Sequence, residues 1–133
     1  MYRIASIVCL MIALALPIPA GLNRWSTAGP YGGQMKFITV DPQTPNVLFA
    51  GISEGSFFFS RNWGQSWEVI GGFTSPMSAG AVHPLNHLLV FAANSDGIHR
   101  SSDGGDSWTT VGAYSDVYCF AFHPDDFRII VVW

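Results

Sequence analysis

The octapeptide Ser101-Ser102-Asp103-Gly104-Gly105-Asp106-Ser107-Trp108 has a near copy 41 residues upstream, Ser60-Arg61-Asn62-Trp63-Gly64-Gln65-Ser66-Trp67. Other marks repeat in the same register. Val82-His83-Pro84 follows Val40-Asp41-Pro42 by 42 residues and precedes Phe122-His123-Pro124 by 40. Phe49-Ala50 aligns with Phe91-Ala92, and Gly55 with Gly97. Trp25 lies 17 residues before Pro42, as Trp67 lies 17 before Pro84, and Trp108 lies 16 before Pro124. A fixed period of this length marks a repeat protein, whose units bury their apolar faces against one another.

Working outward from the octapeptides, each unit reads as four short strands. Runs of Val, Ile, Leu and Phe between clusters of Gly, Pro, Asn and Asp place them near 36–40, 47–52, 57–60 and 67–70, then near 80–82, 88–93, 98–101 and 108–111. A third unit begins at 120–123 and 128–133. After the first twenty residues no stretch shows sustained helical periodicity. The predicted fold class is all-β: a partial β-propeller of four-stranded blades. The predicted organisation is an outer strand at 24–28, blades at 35–71 and 78–112, and a partial blade at 117–133.

Ser101-x-Asp103-x-Gly105-x-Ser107-Trp108 resembles the Asp-box, or BNR repeat, Ser/Thr-x-Asp-x-Gly-x-Ser/Thr-Trp. A chance match in a chain of this size is on the order of one in ten thousand. The first copy, Ser60, Asn62, Gly64, Ser66 and Trp67, carries Asn where the pattern has Asp. Asn keeps the acceptor oxygen, so the same turn is expected without the charge. The stretch from Trp25 through Gly29-Pro30-Tyr31-Gly32-Gly33 to Asp41-Pro42 is similar to the opening of secreted bacterial Asp-box propellers, so the resemblance spans 25–133. It implies that the boxes join third and fourth strands, away from the ligand face. In this reading Asp103 accepts backbone N–H groups of its own turn, Gly105 supplies a positive φ, and Trp108 anchors one blade on another.

The chain opens as an export signal does: Arg3, then an uncharged run from Ile4 to Leu16, then Pro17-Ile18-Pro19-Ala20 before Gly21. The expected signal peptide is 1–20, and the expected location is extracytoplasmic: secreted or periplasmic. Its removal takes away Arg3 and Cys9, leaving five basic against nine acidic residues and a net charge of −4. That charge offers no footprint for nucleic acid, and no membrane association is expected after cleavage. Cys119 then stands alone, expected as a buried, inert thiol on a strand. Of the 133 residues 49% are hydrophobic and only 11% charged, which excludes a disordered chain.

Propellers have 4–8 blades, and 21–133 holds fewer than three. The expectation is an N-terminal piece of a longer chain, with self-association into a ring as the second possibility. Remaining blades or further copies would then complete the structure.

Ligands of such propellers bind where the loops between second and third strands meet those between successive units. Here those loops are 26–34, 53–56, 71–78, 94–97 and 112–116, and the candidate contacts are Tyr31, Glu54, Phe73, Asp96, Tyr114 and Asp116. Aromatic rings stack on sugars or peptides, and paired carboxylates serve glycoside hydrolysis. No residue is assigned a catalytic role, and no cofactor or metal is expected. His83 and His87 cannot form a helical metal pair across Pro84. The resemblance to sialidases would require an arginine triad, and Arg24, Arg61, Arg100 and Arg128 do not form one. The resemblance to xyloglucanases would require Arg-Thr-Asp before the Gly-rich turn; Gly51-Ile52-Ser53-Glu54-Gly55 and Ala93-Asn94-Ser95-Asp96-Gly97 stand there instead. The leading expectation is a non-catalytic binding or scaffold module for protein or glycan, similar to sortilin-like and photosystem-II-assembly-factor-like propellers. An extracellular glycoside hydrolase is the alternative.

Overall fold

The computed structural model describes residues 29–30, 32–123, 125–126 and 129–132. The signal segment 1–20, the outer strand at 24–28, Tyr31, Arg128 and Trp133 lie outside them. The described residues are all-β, with ten strands and no helix. β1 (Met35–Val40), β2 (Leu48–Ile52), β3 (Phe57–Ser60) and β4 (Glu68–Ile70) form one antiparallel sheet in chain order. β5 (Met77–His83), β6 (Asn86–Asn94), β7 (Gly97–Ser101) and β8 (Thr109–Gly112) form a second. β9 (Cys119–Phe122) and β10 (Ile129–Val132) pair as the start of a third. The first strands of successive sheets, β1, β5 and β9, lie side by side. This is the stacking of propeller blades around an inner row of strands.

Each strand lies within a few residues of its predicted place. The largest differences are in the second blade, where β5 begins at Met77 and β6 already at Asn86. The turn after His83 is tight enough for His83 to pair with Asn86 across a register shift. Pro84 fits there because a turn position leaves no ladder hydrogen bond for it to donate.

Alternation along the strands decides what stacks. Phe37, Gly51, Phe57 and Ile70 form one cross-strand row, and Phe49 and Phe59 lie on the same face. That face meets the second blade. Phe49, Phe57, Ile70, Met77, Val82, Val90 and Ala92 make a buried cluster. Trp108 reaches back from the second blade to Phe57, ring centroids 5.3 Å apart and nearly edge-on, a favoured aromatic geometry. Trp108 thus packs against the cluster between the two blades. Gly80 permits the close approach: a Cβ there would sit 2.2 Å from the Phe37 ring. A second cluster of Ala79, Ala93, Ile98 and Val117, with Phe120 against it, joins the second blade to the third pair.

The two octapeptides fold alike. Ser101 Oγ accepts the Gly105 N–H at 2.8 Å, and Ser60 Oγ accepts the Gly64 N–H at 2.9 Å. Asp103 Oδ1 accepts the Ser107 N–H at 2.9 Å, and Asn62 Oδ1 accepts the Ser66 N–H at the same distance. Each indole N–H closes the turn on a glycine carbonyl, Trp108 on Gly105 at 2.9 Å and Trp67 on Gly64 at 3.1 Å. Asn therefore does replace Asp, with one inversion. The Ser107 hydroxyl donates to the Asp103 carboxylate, whereas the Asn62 amide donates to the Ser66 hydroxyl at 2.8 Å.

Cys119 is exposed, which corrects the expectation of a buried thiol. It does lie on a strand. Phe120 and Phe122 turn toward Phe91, so alternation sends Cys119 to the opposite face of β9.

Candidate functional site

Up-and-down pairing puts the β2–β3 and β6–β7 hairpins at one end of the blades, with the β4–β5 and β8–β9 connections. The octapeptide hairpins and the proline turns occupy the other end. Five predicted contacts, Glu54, Phe73, Asp96, Tyr114 and Asp116, fall on the first end. Tyr31 lies outside the described residues.

Glu54 has the most developed surroundings. Its Oε2 accepts the Ser53 hydroxyl at 2.7 Å and the Gln34 N–H at 3.1 Å. The carboxyl is held below its usual range, first by the Ser53 hydroxyl, with smaller contributions from backbone N–H groups and the Lys36 charge. It is a carboxylate at neutral pH, suited to accept hydrogen bonds or a proton and unsuited to donate one. Gly33 lies close against this carboxylate: a Cβ there would sit 1.7 Å from Oε2, so a larger residue would require the exposed Glu54 side chain to shift.

Asp96 occupies the corresponding hairpin of the second blade, exposed to solvent. Beneath it, buried Asn94 organises the turn. Asn94 Oδ1 accepts the Asp96 N–H at 2.9 Å, the Gly97 N–H at 3.2 Å and lies 2.9 Å from His99 Nε2. An Nε2–H donor on His99 leaves Nδ1 to accept the Thr110 hydroxyl at 3.1 Å. Burial pushes the His99 pKa down, against the opposing charge of Asp96. Neither Asn94 nor His99 was a predicted contact. The signal available was a His in a strand position where the first unit has Phe58.

Phe73 packs between blades rather than projecting from its loop. Its ring makes edge contacts with Phe57 at 5.3 Å, His99 at 5.1 Å and Trp108 at 5.4 Å. With Phe59, His99, Trp108 and Thr110 it lines an open groove of about 490 Å³ between the first two blades. Asp116 has a φ of 63°, which Asp tolerates better than most residues. The turn it makes delivers Val117 into the core. Tyr114 is exposed. Glu54, Asp96, Tyr114 and Asp116 are therefore exposed at one end of the blades, while Phe73 packs between the first two blades and lines the groove there.

At the opposite end the polar groups serve their own turns. Asp41 Oδ1 accepts the Gln43 N–H at 2.9 Å, His83 Nδ1 accepts the Leu85 N–H at 3.2 Å, and His123 Nδ1 accepts the Asp125 N–H at 3.3 Å. These are one capping position filled by Asp, His and His. Both Asp103 oxygens are engaged within the octapeptide. Arg61 pairs with Asp106 at 3.2 Å across the two blades, with both side chains exposed. Arg61 also lies over the Phe59 ring, 4.6 Å from its centroid. Among the described residues, no group of three or more His, Cys, Asp or Glu is placed to hold a metal ion.

Among solved structures, the chain is similar to an ancestral GH74 enzyme. The two are 30% identical with a TM-score of 0.69, over 75% of this chain and 13% of that one. A GH74 enzyme of Niastella koreensis matches at 17% identity and a TM-score of 0.59, over 73% of this chain and 19% of that one, a likeness of fold alone. No family description matches the sequence, and no curated protein matches it. The chain thus spans less than a fifth of either enzyme's length. Its blades and their order are those of part of a β-propeller, the fold these GH74 structures share with it.

Proposed function

We propose that this chain forms part of an extracellular Asp-box β-propeller whose blade-end loops bind glycan without cleaving it. One observation carries the reading: Glu54 and Asp96 stand exposed on equivalent hairpins of adjacent blades, above a scaffold similar to that of a GH74 enzyme. Exposed carboxylates beside hydroxyl and amide groups suit the hydroxyls of a sugar chain. The likeness to GH74 enzymes favours glycan over protein as the ligand. The octapeptides support membership of the Asp-box superfamily, and the apolar leader supports export. Glu54 is held as a carboxylate by its own loop, so it lacks the proton that a glycosidase acid needs.

The second reading, a glycoside hydrolase, is favoured by the same two carboxylates and the same likeness. Affinity electrophoresis of the full chain in gels cast with soluble xyloglucan or hydroxyethylcellulose, with a reducing-sugar assay on the same mixtures, separates the two. The expected result is retardation that weakens in Glu54→Gln with Asp96→Asn, and no new reducing ends. Release of reducing ends would overturn the binding reading in favour of the enzyme. Unchanged mobility in every gel would overturn both glycan readings.

A further inference from the structure

Residue 63 and residue 104 occupy the same place in the two octapeptides. Their backbones make the same bond: Trp63 N–H donates to the Asn46 carbonyl at 3.0 Å, and Gly104 N–H donates to the Leu88 carbonyl at 2.9 Å. Their φ angles are both left-handed, 62° at Trp63 and 77° at Gly104. The turn therefore demands a positive φ at this point, and glycine meets that demand without strain. A bulky aromatic residue there is a genuine outlier.

Packing does not explain the indole. Trp63 is 67% exposed. At Gly104 an added Cβ would meet only the end of Leu88, at 3.6 Å, so the site has room and does not dictate its occupant. Trp67, four residues on, already fills the structural indole position and closes the turn on Gly64. A strained residue that is mostly exposed points to a role in binding.

Its surroundings select the ligand. Arg61 and Gln65 are exposed on either side of Trp63, and Asn62 is half-buried. An exposed indole matches the apolar face of a pyranose ring, and the exposed Arg61 and Gln65, two residues before and after it in the chain, can meet the ring's hydroxyls. A protein partner would call for a contiguous apolar patch. We infer that Trp63 is a second glycan contact, at the octapeptide end of the first blade and remote from Glu54 and Asp96. This inference rests on the glycan reading above and adds a surface platform that would hold a polysaccharide strand against the octapeptide end of the propeller.

The test uses the full chain and the variants Trp63→Gly, Trp63→Tyr and the double variant Glu54→Gln with Asp96→Asn. Each is run by affinity electrophoresis in xyloglucan and hydroxyethylcellulose gels, and each is melted. Trp63→Gly is expected to bind about tenfold more weakly, with an unfolding midpoint equal to or above that of the parent. Trp63→Tyr is expected to keep most of the affinity. If Trp63→Gly migrates as the parent does while the carboxylate double variant loses retardation, the platform is overturned and the glycan reading survives. A lower midpoint in Trp63→Gly would overturn it too, by making the indole a packing residue. If the parent is not retarded, the glycan reading and this inference fail together.

Discussion

Ser101 and Ser60 each hold two backbone N–H groups of their turns on one hydroxyl oxygen, in nearly complete burial. Replacing either by Ala leaves those N–H groups without their acceptor. The expected loss is about 1–3 kcal/mol for each, measured by denaturant unfolding of Ser101→Ala and Ser60→Ala. The two octapeptides differ in their response to acid. The Asp103 carboxyl is lowered from 3.8 to about 2, first by the Ser107 hydroxyl, then by the Ser107 N–H and the Ser101 hydroxyl. A group with a depressed folded pKa stabilises fully above its unfolded value, and that contribution is lost as pH falls through the folded value. Stability is therefore expected to decline between about pH 4 and pH 2, and Asp103→Asn, which imitates Asn62, is expected to flatten that window. His99 acts with the same sign in a higher pH window. Burial favours its neutral form, so the unfolded chain binds the proton more readily and stability falls as pH drops below about 6.5. His99→Phe, the residue type at Phe58, is expected to remove that slope in unfolding curves at pH 7 and pH 5.

At the scale of elements, the close stacking of β1 on β5 depends on residues without side chains. Gly80 on β5 and Gly51 on β2 both leave space for the Phe37 ring, where a Cβ would approach within 2.2 and 2.3 Å. Gly80→Ala is expected to displace that ring and cost about 1–3 kcal/mol, visible as a lower denaturant midpoint with an unchanged slope. The sequence pattern reached the strands themselves, because runs of β-branched and aromatic residues between turn residues report extended backbone directly. It could not reach the role of Gly80. The glycine lies within a strand in one unit, and its purpose appears only when a ring from another sheet is beside it.

For the whole molecule, apolar packing between blades is the main cohesive element. Phe57 sits fully buried amid Phe37, Phe49, Phe73 and Trp108. Phe57→Ala is expected to cost about 3–5 kcal/mol and to broaden thermal unfolding as the two blades uncouple. The outer face of the first blade has the converse property. Ile38 and Val69 lie on one cross-strand row, 55% and 64% exposed, and Val40 lies beside them on β1. Sedimentation of the 133-residue chain is expected to show association that grows with concentration, and Ile38→Thr with Val40→Thr is expected to reduce it.

The sequence by itself determined the blade: its four strands, its repeat and the octapeptide turn in which Asn62 replaces Asp103. Those features depend on alternation, turn residues and hydrogen bonds between near neighbours, which a chain carries in its order. It also placed Glu54 and Asp96 on equivalent hairpins. Tertiary structure alone decided which candidates are exposed and which are packed. Phe73 is drawn between blades by Phe57 and Trp108, residues 16 and 35 positions away in the chain. Cys119 is exposed because the phenylalanines flanking Ala121 claim the buried side of β9. Trp63 is a strained, exposed indole only by comparison with the φ of Gly104. Burial and backbone strain arise from what distant segments do to one another, and no local pattern of residues records them.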